Sequence, residues 1–137
     1  IVSVDIKKHW FKGNICMGTS GLIYTDKNPV EWARELQDRG VGELLLTSID
    51  REGTWKGLDI DLISRVSRNV TIPVIAHGGA RGIEDIKNAF DKGKASAVAL
   101  GNTVFFQGPN LGVLISMPHD SQDIQPNNYQ ILKQNSL

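Results

Sequence analysis

The stretch Glu43-Leu44-Leu45-Leu46-Thr47-Ser48-Ile49-Asp50-Arg51-Glu52-Gly53-Thr54, with the run Asp59 to Arg68 behind it, decides how the chain is read. Glu43 to Ile49 is apolar almost throughout rather than alternating, the pattern of a strand buried on both faces of a parallel sheet. A polar loop with a glycine follows. Asp59 to Arg68 then places Ile60, Ile63 and Val66 on one helical face. Strand, polar loop and amphipathic helix make one βα unit.

Working outward, Ile1 to Ile6, Ile72 to Ala76 and Ala95 to Leu100 repeat the strand composition. Asn28-Pro29 followed by Val30, Trp32, Ala33 and Leu36 predicts a helix with Pro in its first turn, closing at Gly40. Gly82 to Lys92 predicts another, with Ile83, Ile86, Ala89 and Phe90 on one face. The order β, α, β, α, β, α, β implies right-handed crossovers and a parallel α/β sheet covered by helices. An open doubly wound sheet and a closed barrel both satisfy that order. Asp5, Asp50, Gly78-Gly79 and Gly101-Asn102 all fall just after strands, which gathers the chemistry on one rim. A full TIM barrel has eight βα units in about 250 residues, so four units would be half of one. Residues 1–106 are read as this half-barrel. Residues 107–137, opening on the turn Gln107-Gly108-Pro109-Asn110, are read as an irregular C-terminal tail.

The 137 residues carry fifteen basic and fifteen acidic side chains, a net charge of zero. That balance argues against nucleic acid or a membrane surface as partner, because such binding needs clustered Lys and Arg. At 40% hydrophobic residues the chain has material for one core. Its one cysteine, Cys16, forms no intrachain disulfide and excludes a cysteine-rich zinc site. No metal or cofactor is expected. No apolar run approaches the roughly 18 to 20 residues that span a bilayer, and a cytoplasmic location is expected. Opening directly on a strand, the chain is expected to continue a longer fold.

Three glycine loops follow strands: Asp50 to Thr54, His77-Gly78-Gly79-Ala80 and Gly101-Asn102-Thr103. Glycine lets backbone approach an anion closely, and N–H groups opening the next helix donate to it. Each glycine equally serves a tight strand-to-helix turn. Asp5 and Asp50 stand where a general acid or base would face a bound substrate, or where an Asp caps a turn or pairs with Lys7 or Arg51. Thr47 and Ser48 offer hydroxyls to a ligand or to the backbone. His77 fits a phosphate ligand, a proton carrier or a bystander. Trp10, Trp32 and Trp55 read as packing residues.

The run Gly42 to Thr54, followed by Gly57-Leu58-Asp59, resembles the signature of the cyclase subunit of imidazole glycerol phosphate synthase, the HisF-like family. Val4-Asp5-Ile6-Lys7 resembles that family's fifth strand, Pro73 to Gly79 its seventh and Ala97 to Asn102 its eighth. The resemblance covers about residues 1–106 and only the family's C-terminal half. It implies a (βα)8 barrel that receives ammonia from a glutaminase subunit. The ammonia reacts with a phosphoribulosyl-formimino aminoimidazole carboxamide ribonucleotide, giving imidazole glycerol phosphate and aminoimidazole carboxamide ribonucleotide. It further implies Asp5 as a catalytic acid or base. Substrate and phosphate contacts would come from Lys7, Thr47, Asp50, Gly53, His77, Gly78, Gly79, Gly101 and Asn102. Glu52 would be a second carboxylate, and Glu43 part of the ammonia gate on the opposite rim. The family's other aspartate and second phosphate site belong to its N-terminal half, so the implied partners include that half-barrel or a second copy of this chain.

Three positions depart from the family pattern: Glu52 stands where Asp is usual, His77 replaces a small polar residue, and Gly101-Asn102 replaces a small pair ending in Ser. Phe105-Phe106-Gln107 and Val113 to Pro118 are more similar to relatives encoded with surface-polysaccharide genes, in which the implied ammonia acceptor is a sugar-modifying enzyme. Three readings therefore stand side by side: histidine-pathway cyclase, ammonia-supplying subunit for surface sugars, and phosphate-binding half-barrel without turnover.

Overall fold

Asn28 caps the first helix, its Oδ1 accepting the Val30 amide proton at 2.9 Å with Pro29 behind it. Asp59 caps the second in the same way, accepting from Leu62 N at 3.1 Å. Gly40, at φ +88°, ends the first in the left-handed conformation its sequence position predicts. The structure, a computed structural model, describes residues 1–19, 21–101 and 104. Asn102 and the expected tail lie outside the described residues.

The elements in order are β1 (Val2–His9), β2 (Gly13–Gly18), β3 (Ile23–Tyr24), α1 (Pro29–Asp38), β4 (Leu44–Ser48), α2 (Ile60–Ser67), β5 (Val74–His77), α3 (Ile83–Asp91) and β6 (Ala97–Val98). One sheet holds the strands in the order β3-β2-β1-β4-β5-β6. The four strands expected from sequence, β1, β4, β5 and β6, run parallel and neighbour one another in chain order. With right-handed crossovers, an order that never reverses sets the helices on one face of the sheet. A doubly wound sheet instead reverses and carries helices on both faces.

Two features differ from the sequence reading. An antiparallel hairpin, β2 with β3, extends the sheet beyond β1, pairing Ile6 with Cys16 through His9 with Gly13. The strands are also not buried on both faces, for β4 and β5 alternate between buried and half-buried residues. Val4, Ile6, Leu44, Leu46, Val74 and Ala76 point into a core with Ala33 and Leu36 of α1, Leu62, Ile63 and Val66 of α2, and Ala89 of α3. The opposite face carries Leu45 and Ile75 at half-burial, so the apolar composition came from two faces with unequal cover.

Candidate functional site

Parallel register arranges that less covered face in rows. Ser3, Leu45, Ile75 and Ala97 are Cα partners in one row, and Asp5, Thr47 and His77 in the next. Side chains two apart on a strand share a face, so the second row lies one step nearer the C-terminal ends of the strands. It is polar where the first is largely apolar. Asp5 accepts from Ser3 Oγ at 3.2 Å through Oδ1. Thr47 Oγ1 lies 3.2 Å from His77 Nδ1. Lys7, two residues beyond Asp5, has its Nζ 5.9 Å from the Tyr24 ring centroid, on the hairpin side of the row.

The loop after β4 folds upon itself. Glu52 N donates to Ser48 O at 3.1 Å, Thr54 Oγ1 to Arg51 O at 2.7 Å, and Arg51 Nη1 to Gly57 O at 3.1 Å. The loop after β5 packs directly on it. A Cβ on Gly78 would stand 2.5 Å from Ser48 O, and one on Gly79 2.7 Å from Arg51 O, at φ +106° and +89°. Both glycines are thus required by backbone crossing backbone, whatever else they serve. Gly57 N donates to Gly79 O at 2.7 Å and completes the junction.

The two loops and the end of β6 enclose a cleft lined by Glu52, Gly53, Trp55, His77, Gly79 and Gly101, among others. Its free space is about 10 Å³, room for one water molecule. His77 Nε2 lies 3.4 Å from Glu52 Oε2. With the imidazole proton on Nε2, the ring accepts the Thr47 hydroxyl at Nδ1 and leaves its Nε2–H close to the Glu52 carboxylate, an approach rather than an aligned hydrogen bond. Trp55 takes φ +58°, a left-handed conformation that is strained for a large side chain.

Asp50 is elsewhere. Its Oδ2 accepts the Lys8 amide proton at 2.7 Å, tying the loop after β4 to β1. It lines a separate cleft of about 420 Å³ with Lys8, Arg51, Asp59, Asp61 and Arg65. Glu43 precedes β4 at the strand end opposite the cleft, its carbonyl accepting from Val2 N at 3.0 Å. The structure therefore gathers Thr47, Glu52, Gly53, His77, Gly78, Gly79 and Gly101, sets Asp5 at the end of their row, and leaves Asp50, Lys7 and Glu43 outside the cleft.

Arg81 and Asp85 brace the loop after β5 from behind. Arg81 N and Nε both donate to Asp85 Oδ2 at 2.9 Å, and Nη2 to Oδ1 at 2.8 Å. The guanidinium hydrogen bonds hold the buried Asp85 carboxyl below the usual carboxylate range. Sequence reasoning missed this brace and the cleft role of Trp55. The spacing of Arg81 and Asp85 across one helical turn was the available signal for the brace. Burial pushes the Cys16 thiol up to about 12, which leaves it protonated and unreactive. Among the described residues no cluster of His, Cys, Asp and Glu is arranged to hold a metal ion. No described helix is long and apolar enough to cross a membrane.

The model of a family described as histidine biosynthesis protein matches residues 1–109. The chain belongs to this family. Within it, the chain is 45% identical over 105 residues to the imidazole glycerol phosphate synthase subunit HisF of Chlorobium limicola, a match covering 77% of this chain and 41% of that one. To the protein of the same name from Methanothermobacter thermautotrophicus it is 47% identical over 105 residues, covering 77% and 37%. A Pseudomonas aeruginosa protein provisionally named imidazole glycerol phosphate synthase subunit hisF2 is 41% identical over 116 residues, covering 85% and 46%. This member of the family thus spans less than half the length of the curated relatives it matches. A chain in the crystal structure of the Amycolatopsis orientalis BexX/CysO complex has a similar fold, with TM-score 0.50 and 22% identity over 56% of this chain and 31% of that one.

Proposed function

We propose that the chain forms the C-terminal half of a (βα)8 barrel and supplies one phosphate site and one acid–base aspartate to an imidazole glycerol phosphate synthase cyclase. The observation that carries this reading is the row Asp5, Thr47, His77 on three adjacent parallel strands, ending at the glycine cleft. The names borne by its relatives support the same reaction class. In this reading the amides around Gly53, Gly78, Gly79, Gly101 and Asn102 hold a substrate phosphate, and Asp5 exchanges a proton with the reacting ribulosyl and imidazole atoms. The cleft fixes the substrate so that Asp5 meets those atoms within hydrogen-bonding reach.

The N-terminal half would provide a second aspartate and a second phosphate site. Two features of the sheet support such a partner. β2 pairs only with Ile6–His9, leaving the edge over Val2–Asp5 uncovered by the hairpin, and the less covered face bears Leu45 and Ile75. An edge that no described residue pairs and a half-buried apolar row favour association with that half or with a second copy. Glu43, at the opposite strand end, would line the entry for ammonia from a glutaminase subunit.

A second reading, ammonia supply to a sugar-modifying enzyme of surface-polysaccharide synthesis, is favoured by one contact. Glu52 reaches His77 inside the cleft that a nucleotide phosphate would need. Co-expression with an N-terminal half-barrel and an assay for ammonia-dependent conversion of the ribonucleotide separate the two. Turnover is expected for the cyclase. A folded complex that binds a glutaminase subunit yet turns nothing over would overturn it in favour of the sugar pathway.

A further inference from the structure

We propose that Glu52 is a latch on the anion cleft: its carboxylate holds the place of a ligand phosphate, which binds only by displacing Glu52 and taking over the His77 Nε2 contact. The inference rests on the phosphate-site reading and adds to it a residue that governs access. Glu52 bridges two walls of the cleft. One carboxylate oxygen lies 3.4 Å from His77 Nε2, and the other is 3.4 Å from where a Cβ on Gly101 would stand. Gly101 therefore offers its surface to the carboxylate. The space that remains is narrow, about 10 Å³, so an anion drawn to the cleft amides comes up against the Glu52 carboxylate. A carboxylate and a phosphate at this range repel each other, so the two do not share the cleft.

The two partners differ in freedom, and that difference makes a latch rather than a fixed ion pair. The Glu52 side chain is 40% exposed, while its backbone N is tied to Ser48 O and Ile49 O, so the side chain alone can swing outward into water. His77 is 24% exposed and its Nδ1 is held at Thr47 Oγ1, so the imidazole stays in place. When Glu52 leaves, the His77 Nε2–H faces the vacated space as a donor aimed at an anion. The hydrogen bond to Thr47 keeps it so oriented.

The test titrates inorganic phosphate into the full chain, into Glu52→Gln, and into the double variant Glu52→Gln with His77→Ser. The amide NMR signals of Gly78, Gly79 and Gly101 report the site, and the same spectra report that each variant keeps its fold. Glu52→Gln is expected to bind phosphate about tenfold more tightly than the unaltered chain, since it keeps the side-chain length and removes the competing charge. The double variant is expected to lose that gain. Equal or weaker binding by Glu52→Gln, at amides that do respond in the unaltered chain, would overturn the latch and leave the anion site standing. A double variant as tight as Glu52→Gln would overturn the transfer to His77. No response in any of the three would overturn the anion site itself, and the latch with it.

Discussion

The two faces of the sheet use the same strands for opposite ends. On the helix side, Val4, Ile6, Leu44, Leu46, Val74 and Ala76 are almost wholly removed from water. On the other side, Asp5, Leu45, Thr47, Ile75 and His77 are only half covered. The alternation is that of a strand with one face against helices. Burial and polarity are thus separated residue by residue along β1, β4 and β5, and the half-covered face is the one on which the proposed ligand and second half would meet the chain.

The largest effect expected lies where the loops after β4 and β5 cross, at the rim of the half-covered face. Gly78→Ala places a Cβ 2.5 Å from Ser48 O at φ +106°, so strain and overpacking add. A loss of about 4 kcal/mol in urea unfolding is expected. A loss under about 1 kcal/mol would show that the two loops are not in backbone contact.

Leu46→Ala, buried at 2% exposure, is expected to cost about 3 kcal/mol, whereas Leu45→Ala beside it is expected to cost about 1 kcal/mol in the isolated chain. Equal losses would mean that both faces are packed, as the composition alone suggested. If the N-terminal half covers Leu45, its cost should rise toward that of Leu46 in the complex.

A smaller effect depends on pH. Because Arg81 holds the Asp85 carboxyl below its ordinary value, the pair's contribution is complete above the unfolded carboxylate value near 4 and is lost as pH falls through the lower folded value. Asp85→Asn is expected to cost about 2 kcal/mol at pH 7, less than for a fully buried pair because the Arg81 side chain is 60% exposed. The variant's deficit should shrink on acidification below pH 4. A deficit that stays constant between pH 3 and 7 would show that the bond, not the charge, carries the effect.

Much of this was legible in the chain, and the exceptions have physical causes. Helix ends were readable because Asn28, Asp59 and Gly40 act through their own backbone neighbours, and the parallel strands because their aliphatic runs are short and separated by helices. The β2–β3 hairpin was not, since Gly13–Gly18 and Ile23–Tyr24 have no strong strand pattern, β2 being held by pairing with β1 and β3 by pairing with β2. Burial on both faces was over-read because Leu45 and Ile75 look like core residues whichever face they occupy. The loops after β4 and β5 and Gly101 do meet at the C-terminal strand ends, yet Asp50 turned away to the Lys8 amide, a contact between distant segments that no local pattern announces. Glu52 and His77 meet only because the loops after β4 and β5 cross at Gly78 and Gly79.

In the proposed cyclase the polar row on the half-covered face carries the chemistry, and Asp5 is the residue on which that assignment stands or falls. In the complex with an N-terminal half-barrel, Asp5→Asn should lower kcat for ammonia-dependent conversion of the ribonucleotide by at least about a hundredfold. The unfolding midpoint should hardly move, because Asp5 is half exposed and its described bond is to Ser3. Turnover that survives in Asp5→Asn at the unaltered rate would contradict the assignment of chemistry to this row.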